Sequence, residues 1–173
     1  SPAPYITRIS ATYPIKPGDQ MTVIGGNFYE VQAVYLSTEQ PAKDGTRPVD
    51  VQEITNYEVN NKYSQITLTA PANLLEEGYL VVECYTSSAV TEFKKNGPKP
   101  VVTAVSSTMP VVGSTVTITG QNFIEVSRVN INGEFDIPVG DITTSNTFDE
   151  ISFVLPQAPT QSGHISVTAI GGT

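Results

Sequence analysis

The chain repeats itself, and that constrains its fold more than any other feature it has. Pro4-Tyr5-Ile6-Thr7-Arg8-Ile9-Ser10 returns as Pro100-Val101-Val102-Thr103-Ala104-Val105-Ser106. Gly18-Asp19-Gln20-Met21-Thr22-Val23-Ile24-Gly25-Gly26-Asn27-Phe28 returns as Gly113-Ser114-Thr115-Val116-Thr117-Ile118-Thr119-Gly120-Gln121-Asn122-Phe123. Ile66-Thr67-Leu68 ahead of Pro71 parallels Ile151-Ser152-Phe153 ahead of Pro156, and Gly78-Tyr79-Leu80-Val81-Val82 parallels Gly163-His164-Ile165-Ser166-Val167. The 173 residues therefore divide into two small domains, expected at 1–96 and 97–173. They meet at Asn96-Gly97-Pro98-Lys99-Pro100, whose two prolines favour an extended, semi-rigid linker and predict an elongated pair.

Each copy reads as short strands. Met21, Val23, Val116 and Ile118 alternate with polar neighbours at a period of two, so one face of each strand is apolar. β-Branched residues fill these runs and Gly, Pro, Asn and Asp interrupt them, while no stretch keeps helical spacing for three turns. Asn132-Gly133, between two apolar runs, predicts a tight hairpin with a two-residue loop. Several such strands in about 90 residues predict an all-β chain of two tandem immunoglobulin-like sandwiches.

The copies are not identical. Leu36 aligns with Ile131, 95 positions on, and Ile66 with Ile151, 85 positions on, so the first copy carries ten extra residues, expected in a long hairpin loop at 37–48. Ala89-Val90-Thr91-Glu92-Phe93 reads as a closing strand with no counterpart before Thr173, so the second domain is expected to lack its last strand and the chain to belong to a longer protein.

The doubled Gly-x-Asn-Phe resembles the IPT/TIG family, an immunoglobulin-like fold shared by plexins and certain transcription factors. The family pattern of Pro-x-Ile, then Gly-x-x-apolar-Thr-apolar-x-Gly-x-Asn-Phe, is matched by Pro4, Ile6 and the run 18–28, and again by Pro100, Val102 and the run 113–123. The motif has its own physical reading. Gly25 and Gly120 are expected to end a strand at a bend or bulge, Asn27 and Asn122 to bond backbone in a tight turn, and Phe28 and Phe123 to plug one end of each core. The resemblance implies one of three contexts, and the chain's charge sorts them. DNA-binding members use loops rich in Arg and Lys, whereas nine basic residues here face seventeen acidic ones, for a net charge of −8. Nucleic acid is therefore not an expected partner. Plexin-type members stand beside cysteine-rich modules, and this chain has one cysteine, Cys84. Bacterial members occur in tandem on surface lipoproteins of polysaccharide uptake, where such repeats act as spacers and another domain holds the glycan. The expected setting is thus the bacterial cell surface, with a lipid anchor upstream and no direct membrane insertion. The expected role is non-catalytic support for glycan binding by a domain outside this chain, with a protein partner at the membrane surface. An adhesion or protein-docking module, or an accessory domain of a secreted polysaccharide-degrading enzyme, is the alternative.

The chemical inventory points the same way. Charged residues are 15% of the chain, below the roughly 25% usual for soluble proteins. His164 is the single histidine and, alternating with inward Ile165 and Val167, is expected on the surface; Cys84, two residues after Val82, is expected buried and inert. Glu76-Glu77 and Asp149-Glu150 read as solvated turn acids rather than the paired carboxylates of glycoside hydrolysis. No catalytic, metal or cofactor site is expected. Aromatic side chains are what is left to carry binding, and all eight tyrosines lie in the first copy, so Tyr57 and Tyr63, with the long loop, are the candidate ligand contacts.

Overall fold

The computed structural model describes residues 1–173 and divides into two compact units, Ser1–Asn96 and Gly97–Thr173. Unit 1 contains β1 (Tyr5–Ser10), β2 (Gln20–Gly26), β3 (Val31–Ser37), β4 (Gln52–Glu53), β5 (Tyr57–Val59), β6 (Gln65–Thr69), β7 (Glu77–Cys84) and β8 (Ser88–Lys94). They form two antiparallel sheets, ordered β1-β2-β6-β5 and β4-β3-β7-β8. Unit 2 contains β9 (Val101–Val105), β10 (Thr115–Gln121), β11 (Arg128–Ile131), β12 (Phe135–Ile137), β13 (Thr143–Thr144), β14 (Glu150–Val154) and β15 (Ile165–Thr168), with a short 3₁₀ turn at Val139–Asp141. Its sheets are ordered β13-β14-β10-β9 and β12-β11-β15. The chain is all-β, two immunoglobulin-like sandwiches in tandem.

The period-two pattern accounts for both cores. Met21, Val23, Ile66 and Leu68 point inward from one sheet of unit 1 to meet Val34, Leu36, Leu80 and Val82 from the other. In unit 2, Val116, Ile118, Ile151 and Phe153 meet Val129, Ile131 and Val167. A strand with one buried face can pair in one register only, because a slip of one residue would turn every apolar side chain outward. The equivalent pairings Val34↔Val82 and Val129↔Val167 show that both units use one register.

The hairpin at Asn132-Gly133 has positive φ at both residues, 59° and 73°, as a type I′ turn requires, and Glu134 N–H donates to the Ile131 carbonyl. Ile131 nevertheless pairs with Phe135, so three residues separate the strands rather than two, with Glu134 the extra one. In unit 1 the same connection runs over 38–51, which is where the inserted residues lie. No strand lies along the outer edge of β15, whereas its counterpart β7 is paired on both sides, with β3 and β8. No helix is long and apolar enough to cross a membrane.

Candidate functional site

Gly-x-Asn-Phe builds one end of each sandwich by the same contacts. Gly25 and Gly120 do not end their strands; β2 runs on to Gly26 and β10 to Gln121. Their role is closeness. A Cβ at Gly25 would overlap the Tyr5 carbonyl and meet the Phe28 ring, and one at Gly120 would overlap the Val101 carbonyl and meet the Phe123 ring. The bend is nearby, as a register shift between Ile6 and Arg8 in unit 1 and between Thr119 and Gly120 in unit 2. Asn27 and Asn122 adopt left-handed φ, 59° and 62°. Each side chain reaches far along the sequence: Asn27 Nδ2 donates to the Ala3 carbonyl and Asn122 Nδ2 to the Lys99 carbonyl, both at 3.0 Å. The amide thus ties down the segment that leads into the first strand. Phe28 and Phe123 are fully buried, and their N–H groups donate to the Tyr63 and Phe148 carbonyls.

That last bond places Tyr63 at the same end of unit 1. The structure separates it from Tyr57. Tyr57 lies on β5 opposite Leu68, half-buried against the core. Tyr63 is 44% exposed and stacks on Tyr29, with ring centroids 4.7 Å apart and planes tilted by 44°. The Tyr5 ring lies across Gly26, the residue with which Tyr5 pairs, and is also exposed. Three tyrosines therefore face solvent at this end. Tyr29 and Tyr5 were not singled out in sequence, although their place beside the Gly-x-Asn-Phe turn was a usable signal.

The long loop has a different job. Tyr35 points away from the core, on the outer face of its sheet, and is nonetheless completely buried. Ala33, Ser37 and Val81 on the same face are buried too. The loop is held down by Arg47, whose guanidinium donates to Glu83 through Nε and a terminal nitrogen at 2.9 and 3.0 Å and to Glu53 at 2.7 Å. It also lies 5.2 Å from the centre of the Tyr35 ring. Hydrogen bonds to Glu83 and then Glu53 raise the Arg47 pKa further above its usual value, so the clamp stays charged. Burial, and then the Glu83 carboxylate, raise the Tyr35 phenol. Beside the loop a groove of about 520 Å³ is lined by Lys43, Asp44, Glu83 and Tyr85 among others. Unit 2, lacking the loop, has a polar outer face: Asp136 accepts from Arg128 at 2.9 Å and from Asn130 at 2.8 Å.

The acids flagged in sequence are engaged locally. Glu76 and Glu77 pair with Lys95 at 3.1 Å and Lys94 at 3.4 Å, and both are largely solvent-exposed. Asp149 accepts from the hydroxyls of Thr147 and Ser145, which hold its carboxyl below the usual range. In Glu134 the Thr160 N–H does the same. His164 is exposed, and its carbonyl accepts from Asn132 N–H. Cys84 is buried as a free thiol, and burial pushes its pKa up, away from the reactive thiolate.

Comparison with known proteins decides between the contexts that the motif allows. Residues 100–173 match the model of the IPT/TIG domain. The chain belongs to the IPT/TIG family through this unit. Unit 1 carries the family's motif in the same turn and with the same contacts. Over 99% of its length the chain is 42% identical to SGBP-B from a complex xyloglucan utilization locus in Bacteroides uniformis, with a TM-score of 0.67. Over 99% of its length it is 99% identical to a protein whose crystal structure is with xylogluco-oligosaccharide, with a TM-score of 0.83. The chain spans 47% of the first of these and 39% of the second.

Proposed function

We propose that this chain is the non-catalytic support of a surface glycan-binding protein, an IPT/TIG pair that carries a xyloglucan-binding domain away from the bacterial outer membrane. The observation that carries this reading is its likeness, along almost its whole length, to SGBP-B of a xyloglucan utilization locus and to a protein crystallised with xylogluco-oligosaccharide, each more than twice as long as this chain. The chemistry of the two units supports it. Their repeated motif is spent on closing each sandwich, and the long loop on covering an apolar face. In this reading the polysaccharide is held outside residues 1–173, a lipid anchor precedes them, and a protein partner at the membrane surface is met by the assembled protein.

A second reading rests on the exposed Tyr29–Tyr63 pair. Sugar rings stack on exposed aromatic faces, so Tyr63, together with the half-buried Tyr57, is the place where this chain would touch glycan directly. Affinity electrophoresis in xyloglucan-containing gels separates the two. The support reading predicts unretarded migration of the 173-residue chain. Retardation abolished by Tyr63→Ala or Tyr57→Ala would replace it with the second.

A further inference from the structure

We propose that the outer edge of β15 seats one more antiparallel strand, supplied by the polypeptide continuing from Thr173, in the register that β8 takes on β7. Three observations converge. First, the turn that would deliver this strand is already formed. In unit 1, Cys84 N–H donates to the Ser87 carbonyl at 3.0 Å, and Glu83 then pairs with Ser88 at the start of β8. In unit 2, Ala169 N–H donates to the Gly172 carbonyl at 2.9 Å, closing an antiparallel bridge between the two residues. Thr173 then stands beside Thr168, hydroxyl to hydroxyl at 2.9 Å. The repeat aligns Thr168 with Glu83 and Thr173 with Ser88, so the backbone has turned back along β15.

Second, β15 has backbone to offer. Its Thr168 and His164 carbonyls face β11, accepting from Ser127 and Asn132. In an antiparallel strand alternate residues face opposite neighbours, so the N–H and C=O groups of Ile165 and Val167 point to the unpaired side.

Third, apolar surface lies uncovered where β8 runs in unit 1. There β8 packs against β1, and Ile15, in the loop after β1, is buried with its N–H donating to the Lys95 carbonyl just past β8. In the matching loop of unit 2, Met109 and Val111 are 86% and 71% exposed.

The register fixes the chemistry of the occupant. Ala89 and Phe93 of β8 face Val82 and Gly78 and are buried. The incoming strand therefore carries a small apolar residue opposite Val167 and a large apolar one opposite Gly163, with polar residues between them.

The test joins a copy of Ala89-Val90-Thr91-Glu92-Phe93-Lys94 to the chain after Thr173 and compares it with the unextended chain and with a Gly-Ser extension of equal length. Amide exchange at Ile165 and Val167 is expected to slow by roughly tenfold or more in the strand-like extension alone. Exchanging the extension's phenylalanine for aspartate should abolish that protection while leaving β7 and β8 as they were. Unchanged exchange at Ile165 and Val167, or equal protection by the Gly-Ser extension, would overturn the proposal. So would a dimer of the extended chain by light scattering, since the edge would then be filled from a second copy.

Discussion

Replacing Arg47 tests whether the inserted loop of unit 1 is held down by the contacts described. In Arg47→Ala three charge-assisted hydrogen bonds disappear, two to Glu83 and one to Glu53, together with the stacking over Tyr35. The side chains of Arg47, Glu83 and Glu53 are 35%, 24% and 50% exposed, so water screens much of the attraction. Pairs of this kind contribute about 0.2–1 kcal/mol each, and a cation over an aromatic ring at a partly exposed site adds about 0.5–1 kcal/mol. Glu83 is left half-desolvated without its partner, which pushes the cost toward the upper end. The expected loss is about 1–2 kcal/mol from unit 1, a fall in Tm of roughly 5–10 °C for a domain of this size. Arg47→Lys keeps the charge but not the planar fork, so it should recover less than half of the loss. Thermal unfolding followed by tyrosine fluorescence reads unit 1 selectively, because all the tyrosines lie there. Tryptic cleavage after Lys43, in the middle of the loop, should speed up in parallel. An unchanged Tm with unchanged cleavage at Lys43 would refute the clamp, and the cover over Tyr35 would then rest on packing alone.

Other outcomes follow from the same contacts. Phe28→Ala and Phe123→Ala, each emptying the end of one core, should each cost about 3–5 kcal/mol in urea unfolding, confined to the unit that carries the change. Asn122→Ala removes the tie to the Lys99 carbonyl and puts alanine at positive φ, for a loss of about 1–2 kcal/mol, whereas Asn122→Gly relieves the backbone and should lose less. Acid should weaken unit 2 through Glu134, Asp136 and Asp149, whose folded pKa values lie below their unfolded ones. Their contribution is present above the ordinary carboxylate range and fades as pH falls through the lowered values, and Glu134→Gln should flatten that part of the stability profile measured from pH 7 to pH 2. Cys84 should react with a thiol reagent only as fast as unit 1 opens, and adding urea below the unfolding midpoint should accelerate it.

Much of this architecture was legible because a repeat carries its own control. Where the copies agree, at Gly-x-Asn-Phe and the alternating strands, the residues serve the fold both share. Gly25 and Gly120 were read as strand ends because glycine commonly marks a bend. Their actual constraint, a carbonyl from the neighbouring strand, exists only once β1 has paired with β2 and β9 with β10. The reach of Asn27 to Ala3 was hidden for the same reason, since 24 residues separate them until the sheet forms. The covered outer face had a signal that went unused. Ala33, Val34, Tyr35, Leu36 and Ser37 run without polar interruption apart from the serine, as a strand buried on both faces does, and the inserted loop follows at once. Tyr57 and Tyr63 look alike in composition, and only the hairpin between β5 and β6 sends one against the core and the other into solvent.

An NMR titration of the isotope-labelled 173-residue chain with xylogluco-oligosaccharide tests the support role most directly, because it detects contact too weak for a gel. Amide shifts that stay fixed through millimolar ligand, under conditions where the longer glycan-binding relative responds, are the predicted result. Saturable shifts gathered on Tyr29, Tyr63 and their neighbours would contradict it and place a glycan site within this chain.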